Sequence, residues 1–441
     1  MKEKFFFYIL IFLIGSKVYS QADSLYWQGH KTFVIDSITI RGNDITDNDI
    51  VFREITFKVK DTVTAPILRY NRDRIYSLGI FTTVHLIPEE TNGINVLVIN
   101  VKESWYIWPV PFAELKDRSW KKISYGFDLN IKNFRGRNEQ VKTRFGFGYD
   151  PGVVLMYNIP MFLNNPDVSL KFDFYYGNYK NNSDIAEYKY GEEFKQKSSY
   201  FAVTLGKRSG LYNYLYVVGG FQFIETPRYV PGVSASGGRV DRIFTAGVNY
   251  MYDSRDLAQF PDDGAFLSTS YSLKGFGLYN INYNYCDFDI REYKTILGRL
   301  SGKLRLYTGQ VWGKTVPYFD YETLGLVERV RGHFNTKAEG SSMYLASTEI
   351  KYPLIKDWDL AFNFPIIPKS LQTYRVSLYT EAFYDAGTVV KRNDDLVLKN
   401  FMTGYGFGFT FLVLPYRLAR VEIGIDKNGN KEWIFEIGTS F

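Results

Sequence analysis

From Trp105 to Phe441 apolar and polar positions alternate with a period of two over many short runs. Ile123, Tyr125, Phe127, Leu129 and Ile131 share one parity against Ser124, Gly126, Asp128, Asn130 and Lys132. Val141, Thr143, Phe145, Phe147 and Tyr149 likewise oppose Lys142, Arg144, Gly146 and Gly148. Successive side chains of a strand point to opposite faces, so each run predicts a strand with an aromatic and aliphatic face and a charged, glycine-rich face. A soluble sandwich would carry charge outside and aliphatic residues inside. Here the pattern suits lipid on one side and a polar lumen on the other. Runs of this kind, from 105–115 to 432–441, number about sixteen, and an even count returns both ends of a bacterial barrel to one side of the membrane.

Residues 32–104 read differently. A strand from Phe33 to Arg41 stops at Gly42-Asn43, a short helix spans 47–57, and a second helix begins at Thr64-Ala-Pro66 and ends at Gly79. Strands 81–88 and 94–101 follow, joined at Asn92-Gly93. The order strand, helix, helix, strand, strand predicts a small α+β domain.

At the N-terminus, Met1-Lys-Glu-Lys4 precedes the apolar stretch Phe5 to Ile14 and the small-residue pattern Val18-Tyr-Ser20. Such a stretch reads as a secretory signal peptide over residues 1–20, since a span needs about 20 apolar residues. Residues 21–31 follow as a linker. Aromatic residues make up 18% of the chain, whereas it has 3 His and 1 Cys, Cys286. Those counts leave no basis for a Cys/His metal site or a disulfide framework, and no cofactor is expected. A net charge of +6 over 441 residues gives no argument for nucleic acid. Neither a Gly-x-Ser-x-Gly elbow nor a His-Glu-x-x-His pair occurs, and the chain reads as no enzyme.

Five short motifs stand in a fixed order: Ile40-Arg-Gly-Asn43 in the first zone, then Asn158-Ile-Pro-Met-Phe162, Phe260-Pro-Asp-Asp-Gly264, Val330-Arg-Gly332 and Phe383-Tyr-Asp-Ala-Gly387. In these the chain resembles the BamA/TamA superfamily of outer-membrane insertases and translocases, in which periplasmic POTRA domains precede a bacterial-surface-antigen barrel. The resemblance implies one POTRA domain over 32–104 and a sixteen-stranded antiparallel transmembrane β-barrel over 105–441. It also implies a place in the outer membrane of a Gram-negative bacterium. Clients would be barrel or secreted polypeptides, with periplasmic accessory proteins as further partners.

In the family the Arg-Gly motif of an external loop folds into the lumen, and its Arg pairs with an acid of a neighbouring strand. The implied lock is Arg331 and Gly332, with Asp385 as first partner and Glu349 and Glu381 as alternatives. Alternation independently turns these three carboxylates inward, and it places Gly404, Gly406 and Gly408 on the lumenal face. The family has an aromatic directly after Arg-Gly, whereas here His333 precedes Phe334. The first barrel strand contains Pro109 and Pro111, which remove two donors from a single edge. Either these prolines face the seam with the strand ending at Phe441, or they belong to a linker. On family precedent the strand 81–88, with Phe81, Val84 and Leu86, offers an edge to an extended client. The competing expectation is a passive or solute-selective channel with a periplasmic adaptor.

Overall fold

The computed structural model describes residues 17–19, 32–116, 119–333, 336–361, 368, 372–415 and 417–437. The expected leader and linker therefore lie outside the described residues, except for β1 (Lys17–Tyr19), which pairs with Asp359 to Ala361.

In the N-terminal unit, β2 (Phe33–Val34) is followed by β3 (Ser37–Arg41), the helix Asn48–Phe52 and β4 (Thr62–Val63). The helix Ala65–Ser77, β5 (Phe81–Thr91) and β6 (Ile94–Glu103) complete it. A three-stranded sheet runs in the order β3-β6-β5, with β3 parallel and β5 antiparallel to β6. The β5–β6 turn uses positive φ at Asn92 (54°) and Gly93 (76°), the backbone form that suits a two-residue hairpin. The first helix is shorter than its sequence suggests because the Thr56 N–H leaves the helical pattern and donates to Asn71 Oδ1 at 2.6 Å. Ile35, Ile50, Ile75, Tyr76, Phe81, Val84 and Leu97 form the core. That cluster continues without a break into Phe260, Tyr379, Leu412 and Leu418, so the unit is packed onto one end of the barrel.

The barrel comprises β7 (Ile107–Leu115), β8 (Ile123–Phe134), β9 (Glu139–Gly148), β10 (Gly152–Ile159), β11 (Val168–Lys180) and β12 (Lys195–Ser209). It continues with β13 (Asn213–Glu225), β14 (Val240–Asp253), β15 (Gly264–Lys274), β16 (Tyr283–Leu297) and β17 (Leu300–Gly313). Within the next loop, β18 (Glu322–Leu324) pairs with β19 (Ala338–Gly340). The wall resumes with β20 (Ser342–Ala361), β21 (Thr373–Val390), β22 (Met402–Leu414), β23 (Arg417–Asp426) and β24 (Lys431–Ile437). These sixteen strands follow one another antiparallel in chain order.

Their two faces separate as the sequence pattern dictates. Tyr405, Phe407, Phe409 and Phe411 of β22 are exposed on the outside, while Gly404, Gly408 and Thr410 are buried within. No helix among the described residues is long and apolar enough to cross a membrane; strands of this patterning cross instead.

Strand β20 continues nine residues past 352, where the alternation suggests its end. Pro353 interrupts the ladder there, and two register shifts between Pro353 and Trp358 absorb the interruption. This extension carries Asp357 and Asp359 to the N-terminal unit. Asp357 meets Arg72 at 3.0 Å, and Asp359 lies 3.5 Å from His85 of β5 while accepting from Arg375 of β21 at 2.7 Å. A helix not foreseen, Asp184–Tyr190, forms in the β11–β12 loop; Ser183 caps it by accepting from the Ala186 N–H at 3.1 Å, and Gly191 ends it in left-handed conformation.

Candidate functional site

Loop 314–341, between β17 and β20, folds back against the inner wall. Tyr318 packs with Phe194 and Val233 of neighbouring loops, and Leu324 and Val330 pack with Met343 and Leu345 of β20. Arg305 of β17 joins Asp289 of β16 to Glu328 of the loop, at 2.8 Å from each. Arg329 reaches Glu436 of β24 at 2.8 Å. The loop is thus tied to strands on several sides of the lumen.

At its tip Arg331 is 2% exposed. Its guanidinium grips Asp385 with two bonds, Nε to Oδ2 at 2.7 Å and Nη2 to Oδ1 at 2.9 Å. The Arg331 backbone N–H also donates to Asp385 Oδ2, at 3.2 Å. Nη1 donates to Glu422 at 2.8 Å and Glu349 at 3.2 Å. The guanidinium carbon lies 3.6 Å from the centre of the Phe383 ring, a close cation–π contact. An aromatic partner for Arg331 therefore comes from the wall; Phe334 lies outside the described residues. His333 bonds through Nε2 to the Thr403 carbonyl at 2.9 Å.

The backbone has room because two wall positions lack a side chain. A Cβ on Gly404 would stand 1.8 Å from the Arg331 carbonyl oxygen, and one on Gly424 would stand 2.7 Å from the Gly332 nitrogen. Gly332 has φ 93°, a conformation that favours glycine, and its N–H donates to Glu432 at 2.9 Å.

Sequence reasoning named Asp385, Glu349 and Glu381 as lumenal. All three are buried; Asp385 and Glu349 bond Arg331, and Glu381 lies beside them. It faces Arg420 at 3.2 Å and accepts from Thr410 Oγ1 at 2.8 Å. Glu422 and Arg420 were missed, although their signal is in the sequence. In Leu418 to Asp426, the residues Arg420, Glu422 and Gly424 share one parity against Ala419, Val421, Ile423 and Ile425. Glu349, Glu381 and Glu422 can each bring an oxygen within 4.8 Å of the others, a spacing that admits a cation. Two guanidinium groups already supply the positive charge there, and a metal ion would have to displace them.

Pro109 and Pro111 stand opposite Leu129 and Phe127 in the β7–β8 register. The bond from the Lys132 N–H to the Tyr106 carbonyl, 2.8 Å, sets the phase of that ladder. Hydrogen-bonded pairs then fall at 106, 108, 110 and 112, so positions 109 and 111 turn their backbone groups away from β8, toward the seam. Residues 438–441, and with them Phe441, lie outside the described residues. Among the described residues no register of Cα partners joins β24 to β7.

In β5, Phe81, Val84 and Leu86 are fully or nearly fully buried in the core of the N-terminal unit. Strand addition at this edge would use backbone groups and not these side chains. The strand lies at a sheet edge, and at His85 it approaches Asp359 of the barrel at 3.5 Å.

Comparison with known proteins agrees with this architecture. Residues 133–441 match the model of the Omp85 superfamily domain. Among solved structures, BamA from Haemophilus ducreyi lacking POTRA domains 1-3 is similar at 17% identity and a TM-score of 0.52, over 92% of this chain and 84% of that one. CdiB from Escherichia coli is similar at 11% identity and a TM-score of 0.49, over 96% and 90%. No curated protein sequence matches. With well over half of its length matched, and with a sixteen-stranded wall that turns aromatic residues outward, the chain belongs to the Omp85 superfamily of outer-membrane β-barrels.

Proposed function

We propose that this barrel assembles or transports client polypeptides at the outer membrane, with its N-terminal unit acting as a POTRA domain in the periplasm. The observation that carries the reading is the occupied lumen. Loop 314–341 is pinned through Arg331 to strands β20, β21 and β23, which is poor design for an open solute pore. A polypeptide route is left at the wall, where Pro109 and Pro111 remove donors on the seam side of β7. An unpaired carbonyl in lipid costs several kcal/mol, so an incoming strand that pairs there is stabilised. Membership of the Omp85 superfamily is consistent with this reading. The backbone edge of β5 offers a second pairing site, one that competes with the His85 contact to the rim. No step in this reading calls for catalysis by side chains or for a cofactor.

The test is a disulfide between β7 and β24 in a Cys286→Ser background. Loss of cellular function on oxidation, restored by reduction, is the expected result. Function that persists with the seam locked would favour a passive or solute-selective channel instead.

A further inference from the structure

The outer wall carries a charged patch where β12, β13 and β14 end, far from the lumen and its loop. On β13 the outward positions Leu215, Val217, Gly219, Phe221 and Phe223 are apolar. They cover about 27 Å of strand, which at a tilt of roughly 40° crosses most of an apolar band about 25 Å tall. Glu225 follows on the same face and stands at the edge of that band. The other end of β13 lies by the N-terminal unit, where Tyr70 donates to the Tyr212 hydroxyl at 3.1 Å. Strand register sets the residues of this edge in rows. Lys197, Glu225 and Val240 are partners across the three strands; Ser199, Phe223 and Arg242 form the next row inward, and Phe201, Phe221 and Phe244 the one after. That last row is an aromatic girdle of the kind found at a membrane interface.

Charge on this patch does not balance. Glu225 is shared by Arg239 at 2.8 Å and Lys197 at 3.9 Å, and both cations remain more than half exposed. Arg242 is exposed as well, and among the described residues it has no ion pair or hydrogen bond. Its guanidinium lies instead against two rings, 5.8 Å from the centre of Phe223 and 5.4 Å from that of Tyr279 in the β15–β16 turn. Ring faces hold the group in place but leave its N–H donors open. A cation at the rim of an apolar band is stable when those donors reach the headgroups, and a guanidinium fork fits the oxygens of a phosphate two at a time. Phosphate free in solution shares that chemistry. The aromatic row directly below the cations, however, is a seat for acyl chains, and it favours a phosphate that belongs to a lipid.

We infer that Lys197, Arg239 and Arg242 form a binding site on the lipid-facing wall for a phosphorylated glycolipid of the outer leaflet. Arg242 takes the phosphate, Glu225 holds Lys197 and Arg239 beside it, and the acyl chains lie over Phe201, Phe221 and Phe244. The choice of leaflet rests on the proposed placement of the N-terminal unit in the periplasm, which puts this end of the strands outside. The site involves neither the lumen, nor loop 314–341, nor the seam.

The experiment measures lipid retention by the purified full-length chain in detergent, using native mass spectrometry with diphosphoryl lipid A, its dephosphorylated form and phosphatidylglycerol. Heat-modifiable migration on gels establishes that each variant is folded. Diphosphoryl lipid A is expected to bind more tightly than the other two. Arg242→Gln should weaken it by about tenfold, Arg242→Lys should recover part of the loss, and adding Lys197→Gln and Arg239→Gln should abolish binding. Lys207→Gln, at the other end of β12, should change nothing. A folded triple variant that binds like the parent overturns the site. Equal binding of phosphatidylglycerol overturns the glycolipid assignment, and complete displacement by inorganic phosphate shows a site for a free anion instead. Orientation is read separately, from Arg239→Cys with Cys286→Ser in intact cells. Reaction with a membrane-impermeant maleimide is expected; reaction only after lysis overturns the outer-leaflet assignment together with the periplasmic placement of the N-terminal unit. The seam disulfide tests client handling independently of either result.

Discussion

Arg331 shows how one side chain holds a loop in place. Taking its charge out of water is costly, and that cost is met only because Asp385, Glu349 and Glu422 surround it within hydrogen-bonding distance. Removing one partner of such a buried set leaves the others uncompensated. Arg331→Ala is expected to destabilise the barrel by about 3–5 kcal/mol, read as a fall in the temperature at which heat-modifiable migration is lost. Arg331→Lys should recover only part of this, because an ammonium cannot make the bidentate contact with Asp385. Gly404→Ala makes a separate demand. Its new methyl would collide with the Arg331 carbonyl, and the backbone there must shift, at roughly 1–3 kcal/mol. Loop 314–341 should then become more open to added protease, and an Ala at exposed Gly219, where a Cβ meets nothing, serves as the control. Lumenal acids were legible because strand parity is strict. Which acid binds which cation is not legible, because that depends on the stagger between strands: Glu381 lies beside the acids that bond Arg331, as parity suggests, but its own ion pair is with Arg420.

At the scale of elements, the contact between the helix Ala65–Ser77 and turn 254–263, between β14 and β15, encloses a buried acid, Asp256. Burial pushes the Asp256 carboxyl up to about 7, with the nearby charges of Asp73 and Asp262 adding to it and Lys351 opposing. Asp73, on the helix, is raised by burial as well, against the pull of Arg72. Burial also disfavours the Asp262 charge, but Lys351 and Lys356 outweigh it and hold that carboxyl below the usual range. An acid whose folded value lies above its unfolded one stabilises the docked state fully below the unfolded value and loses that contribution as pH rises through the folded one. Docking of the helix should therefore weaken progressively between about pH 4 and about pH 7, and Asp256→Asn should flatten the dependence. Hydrogen exchange of the 65–77 amides across that range checks both; exchange that is independent of pH once its intrinsic rate is removed would refute the assignment. Periodicity revealed these elements well where nothing interrupts it. It failed at Pro353, where β20 passes through register shifts and continues, and in the β11–β12 loop, where a short helix is set by Ser183 and Gly191 and not by any apolar stripe.

For the molecule as a whole, the sixteen-stranded count and the small N-terminal unit could be read from the chain because each rests on local pattern. How the two meet could not. Their shared core brings Tyr76 and Phe81 together with Phe260, Tyr379 and Leu418, residues hundreds of positions apart that no periodicity relates. Arg208 of β12 adds a bond to Glu54 at 2.8 Å, and Lys102 of β6 adds one to Thr373 of β21 at 2.7 Å. The N-terminal unit is thus fastened to strands on different sides of the rim, and moving it means breaking these contacts together.

The glycine notch at Gly404 and Gly424 also bears on how the barrel is made. Wall ladders join neighbours in the chain, but Arg331 meets Asp385 across 54 residues and Glu422 across 91. Strands β21 to β24 are synthesised after the loop, and they bring Asp385, Glu422 and both glycines with them. A loop left outside while those strands closed would have to enter later through the mouth of the barrel, carrying the Arg331 charge to acids already enclosed by the wall. The loop is better regarded as a mandrel around which the last quarter of the barrel is wound, so that Arg331 governs the yield of assembly as well as the stability of the assembled product.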